Sequence, residues 1–83
     1  MVTKIENKEI NDVVHEIQKA EERFGEFKSS HEGYAIIAEE LDELWDEVKK
    51  HSHDYHIEYN EAKQVACTAI RYMQMCRRFN KEV

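Results

Sequence analysis

The chain has no proline and only two glycines in 83 residues, so few positions force a helix to stop, and the apolar residues recur at helical intervals between those positions. From about Glu6 to Phe24 the apolar set is Ile10, Val13, Val14, Ile17, Ala20 and Phe24. From Tyr34 to Lys50 it is Tyr34, Ile37, Ala38, Leu41, Leu44, Trp45 and Val48. From about Tyr55 to Asn80 it is Ala62, Val65, Ala69, Tyr72, Met73 and Cys76. Spacings of three and four mark amphipathic helices, and no strand-like alternation interrupts them. The breaks are chemically legible. Gly25 suits the left-handed residue after a helix, with Phe27 anchoring the connection beyond it. Ser29-Ser30-His31-Glu32 reads as a capping box that starts the second helix. Positive charge at Lys49-Lys50 suits that helix's end, and Ser52 or Asp54 can cap the third. The fold class expected is all-α, a single domain over 1–83 with antiparallel helices and with residues 1–5 frayed.

A domain this small buries only about 60% of its unfolded surface. Ala66, Cys67 and Ile70 widen the apolar surface of the third helix beyond what one packing partner requires. Both points predict a bundle completed by a second copy, as a homodimer or homotetramer. A net charge of −6 argues against binding a nucleic-acid polymer or an anionic membrane. No apolar run reaches the ~20 residues of a membrane span, and the N-terminus has no signal-peptide core. Cys67 and Cys76 lie on opposite faces of one helix, about 13 Å apart along its axis, so no disulfide joins them. Reduced thiols and a cytoplasmic location are the expectation.

The acidic residues are more specific. Glu39-Glu40-Leu41-Asp42-Glu43 lies on the second helix, and Glu40, Glu43 and Glu47 step along a face beside its apolar stripe. Carboxylates at i and i+3 sit about 5–6 Å apart and repel unless a cation lies between them. If the second and third helices pack antiparallel about a turn near Ser52, Glu43 falls level with Glu61 or Ala62, and Glu40 with Gln64 or Val65. The pairs Glu40/Glu43 and Glu61/Gln64 then face one another across a groove. Three carboxylates and an amide oxygen are hard donors suited to Mg²⁺ or Mn²⁺. Lys63 and Arg71 flank the groove side of the third helix, in reach of substrate phosphates.

Glu39-Glu40-Leu41-Asp42-Glu43 followed by Glu61-Ala62-Lys63-Gln64 resembles the pattern of the MazG-like all-α nucleoside triphosphate pyrophosphatases, EExxE on one helix and ExxD on the next. The resemblance takes in His31-Glu32-Gly33-Tyr34-Ala35-Ile36-Ile37 and spans about residues 24–80. It implies Mg²⁺-dependent hydrolysis of a (d)NTP substrate to (d)NMP and pyrophosphate. Glu40, Glu43, Glu61 and Gln64 would then bind metal, and Glu39 would orient the water or support the ligands, so that Glu39, Glu40 and Glu43 form the catalytic set. The departure is Gln64, where the family pattern has aspartate. An amide ligates with less charge and cannot act as a base. Glu47 and Glu58, level with each other nearer the turn, are the candidates to compensate, although Glu58 lies towards the core side. The competing reading, from a different class, is a non-catalytic helical oligomerisation module of the same fold, inactive because of Gln64. A transition-metal site in the His51/His53/His56 turn is a third option. Trp45 reads as core, and Cys67 as an oligomer contact.

Overall fold

The computed structural model describes residues 7–83; residues 1–5, expected to fray, and the start of the first helix at Glu6 lie outside them. Three helices account for most of the described chain: α1 (Asn7–Phe24), α2 (Ser30–Val48) and α3 (Tyr55–Phe79). No strand occurs among the described residues, so the all-α expectation holds.

The helix ends follow the local chemistry. Gly25 has φ +75°, and its N–H donates to the Glu21 carbonyl at 2.9 Å, closing α1. Ser29 caps α2 by accepting from the Glu32 N–H at 3.1 Å. The Glu32 carboxylate reaches one residue further back than a standard capping box and accepts from the Lys28 N–H at 2.7 Å. Asp54, not Ser52, caps α3, accepting from the N–H groups of His56 and Ile57.

The centre of the structure is α3. Both α1 and α2 pack on it, while among the described residues α1 and α2 make no close backbone approach to each other. Its inward residues Cys67, Thr68, Arg71 and Met75 are buried, together with Ile17 of α1 and Phe27 of the connection. A polar link adds to the α1–α3 contact: the Tyr59 hydroxyl donates to Asp12 at 2.6 Å, and Lys8 reaches the same carboxylate at 2.7 Å.

Two core assignments made from periodicity are corrected. On α2, Trp45 is 58% exposed and Tyr34 71%, with Leu41 and Val48 also outward. The face turned to α3 carries Gly33, Ile36, Ile37, Glu40, Leu44 and Glu47. The physical reason is Gly33, which lets α2 close on the Tyr72 ring. A Cβ there would lie 2.7 Å from Tyr72 Cδ2 and 3.0 Å from Phe27 Cδ2. An apolar count gives glycine no weight, yet here it sets which side of the helix meets its neighbour. On α3, Cys67 is 1% exposed and belongs to the core, whereas Met73, Ala62 and Ala69 of the expected stripe face outward. Cys67 is therefore not a contact surface.

Candidate metal centre

The helix face that α2 turns to α3 places Glu40 where a core residue would sit, with Glu43 one turn later and more open. From α3, Glu61 comes up against them. One carboxylate oxygen from each of Glu40, Glu43 and Glu61 lies within 4.8 Å of the others, and this is the one group of three metal-ligating side chains among the described residues. The two helices thus bring together three of the four expected metal ligands.

The electrostatics are those of crowded acids. Glu40 is pushed up to about 7, first by burial, then by the carboxylate of Glu43, and then by Glu61 and Glu39. Its Oε2 is buried with no hydrogen-bond partner; the groups around it are carboxylates, which accept and have no proton to give when ionised. Burial also raises Glu61, with Glu43 and Glu47 adding to the shift. A cation among these oxygens relieves both penalties at once, since it supplies positive charge and occupies the orphaned lone pairs. The donor set of hard carboxylate oxygens fits Mg²⁺ or Mn²⁺ with waters completing the shell.

The other expected site residues are placed differently. Gln64 lies toward α1, where its amide is the first influence holding the Glu16 carboxylate below the usual range. Lys63 joins it there, 3.5 Å from Glu16. Both serve the α1–α3 contact. Glu39 stands exposed beside the cluster. Glu47 and Glu58 are each held by a neighbour, Glu47 by Lys50 at 2.8 Å and Glu58 by His53 at 2.8 Å. Those pairings tie them to the turn. His51, His53 and His56 form no metal-ligand group with one another.

Arg71 is 7% exposed. One of its terminal nitrogens donates to the Gly25 carbonyl at 2.9 Å, its guanidinium lies 4.3 Å from the centre of the Phe27 ring, and its Nε has no partner. It forms part of the wall of a cleft of about 440 Å³ that reaches Glu39 and Glu40 at one side and Phe24, Phe27 and Ile36 at the other, with Thr68 between. Periodicity placed Phe24 in the core; at 67% exposed it stands instead at the edge of this cleft. Nothing in the sequence signals the cleft, because it is formed by α1 and α2 lying apart on α3.

No family model, curated protein or solved structure matches the chain.

Proposed function

We propose that the chain is a Mg²⁺-dependent nucleoside triphosphate pyrophosphohydrolase of MazG-like type, converting a (d)NTP and water to a (d)NMP and pyrophosphate. The observation that carries this reading is the convergence of Glu40, Glu43 and Glu61 from two helices to within 4.8 Å, with a buried, partnerless oxygen on Glu40. Mg²⁺ or Mn²⁺ bound there supplies charge to offset the phosphates and acidifies a coordinated water. Glu40, Glu43 and Glu61 hold the ion. Glu39, exposed at the edge of the adjoining cleft, orients the attacking water. Arg71 faces the phosphate end, and Phe24 and Ile36 give the cleft an apolar side suited to the rest of the nucleotide.

The finer architecture belongs to the same reading: α2 and α3 antiparallel, with a second copy completing the bundle. Its support is the outward apolar row Tyr34, Leu41, Trp45 and Val48 of α2, together with Met73 of α3. A lone 83-residue chain gains nothing from leaving these side chains in water.

The test is pyrophosphate release from a panel of NTPs and dNTPs with Mg²⁺ or Mn²⁺, comparing the protein with Glu43→Gln. Release that disappears in the variant supports the hydrolase. Inertness of both proteins toward every nucleotide refutes it.

One observation favours a second reading, a non-catalytic oligomerisation module of the same fold. Gln64 is committed to Glu16, leaving three carboxylates where the family pattern has four. Gln64→Asp separates the two readings: it raises metal affinity or turnover in a hydrolase, and in a module it only lowers stability by setting a second carboxylate beside Glu16.

A further inference from the structure

A second hollow, of about 290 Å³, shares Glu26, Phe27 and Arg71 with the cleft but contains none of the Glu40 cluster. Its α3 side carries Arg71, Gln74, Arg77 and Arg78, spaced so that 71, 74 and 78 fall on one helical face with 77 alongside. Glu21 of α1 and Glu26 of the connection complete the polar lining. In a chain of net charge −6, three guanidiniums here stand against two carboxylates. One of those carboxylates is already taken, because Glu26 lies 3.1 Å from Arg78 Nε. Guanidinium does not lose its proton in proteins, so the excess positive charge persists across the physiological pH range.

Two of the arginines are fixed in advance. Arg78 donates to the Phe27 carbonyl, and Arg71 is held by the Gly25 carbonyl and stacked on Phe27. Arg71 still has a buried Nε without a partner. The side chains of Arg77 and Gln74 have no hydrogen bond or ion pair among the described residues. An arriving anion therefore orders mainly one arginine and one amide, while two charges already stand in place. Binding costs little conformational entropy under those conditions. The hollow lies just below the size range of sites for drug-sized ligands and suits one or two phosphoryl groups.

We propose that this hollow is a phosphoryl-anion site, taking a ligand of the size of phosphate or pyrophosphate through Arg77, Gln74 and the Arg71 guanidinium. It contains none of the Glu40 cluster and needs no divalent ion; Arg71 stands on the wall it shares with the cleft, and Arg77 and Gln74 belong to this hollow alone. Arg77 supplies the charge-assisted bonds that the protein leaves unused. Glu21 is the opposing charge and limits affinity.

Pyrophosphate titrated into the metal-free protein, followed by amide and side-chain NMR shifts in the presence of a chelator, tests this. Saturable shifts are expected at Gln74, Arg77 and Phe27. Arg77→Gln weakens binding about tenfold or more, a single charge-assisted contact's worth. Arg77→Lys falls between, since ammonium keeps the charge and loses the planar fork. Glu21→Gln strengthens binding several-fold, and Glu43→Gln leaves it unchanged. Arg77 is exposed on the end of α3, so its replacement leaves the fold intact, as an unchanged far-ultraviolet spectrum will show. Three results overturn the proposal: no saturable binding, binding indifferent to Arg77→Gln, or binding that requires Mg²⁺ and disappears in Glu43→Gln.

Discussion

Glu40 titrates near 7 in the folded, metal-free protein and near 4.5 when unfolded. Between those values the native state binds more protons than the unfolded state, so stability falls as pH rises through the window. The loss is complete above about 7 and absent below the unfolded value. After allowing for solvent screening it is on the order of 1–2 kcal/mol, and the upward shift of Glu61 acts in the same direction. Asp12 and Glu16 are shifted the other way, Asp12 chiefly by its hydrogen bond to Lys8 and Glu16 chiefly by Gln64. Their contribution is present at neutral pH and fades as pH falls below the ordinary carboxylate range. Urea unfolding of the metal-free protein should therefore show greater stability near pH 5 than at pH 8. Glu40→Gln should remove most of that difference by stabilising the protein at pH 8, and Mg²⁺ should stabilise the unsubstituted protein but not the variant. At this scale the sequence was informative about charge and silent about direction. The i,i+3 spacing of Glu40 and Glu43 and the level of Glu61 were enough to bring three acids together. Gln64 and Lys63 have the same periodicity relative to α2 as to α1, and only the packing of α1 shows that Glu16 takes them both.

Each helix was legible from its caps, since Ser29, Asp54 and Gly25 act through one or two local hydrogen bonds that need no tertiary context. The rotation of α2 about its own axis was not legible. It is decided by Gly33 against the Tyr72 ring, a contact between residues far apart in sequence. Gly33→Ala puts a methyl 2.7 Å from Tyr72 Cδ2 and 3.0 Å from Phe27 Cδ2, inside contact distance of two rings. Overpacking of this kind costs about 1–3 kcal/mol, whereas the better helix propensity of alanine returns about 1 kcal/mol at most. The expected outcome is a net loss of about 1–2 kcal/mol in chemical denaturation. Combining Gly33→Ala with Tyr72→Val should lose less than the sum of the two, because the same space is at issue in both. Equal additivity would place the α2–α3 contact elsewhere.

For the whole molecule, the outward row of α2 carries the prediction of assembly. Trp45→Lys should leave the helical content unchanged and shift sedimentation equilibrium toward a single chain. A protein that already sediments as one chain, with or without the substitution, would remove the second copy from the account. The expectation of assembly rests on size and surplus apolar surface, which do not say which residues would carry it. The sequence pattern assigned Trp45 to the interior and Cys67 to the exterior, and the structure reverses both. The arrangement of α1 and α2 on opposite flanks of α3 has a kinetic consequence. Since among the described residues α1 makes no close backbone approach to α2, it can lift from α3 on its own; Cys67 is buried and lies near enough to α1 for Glu16 and Glu21 to act on its thiol. Burial holds the Cys67 thiol above its ordinary range, whereas Cys76 is only partly covered. A disulfide reagent should label Cys76 promptly and Cys67 only at the rate at which α1 opens. The chain thus carries its own clock for that motion, one sulfur marking the event and the other calibrating the reagent.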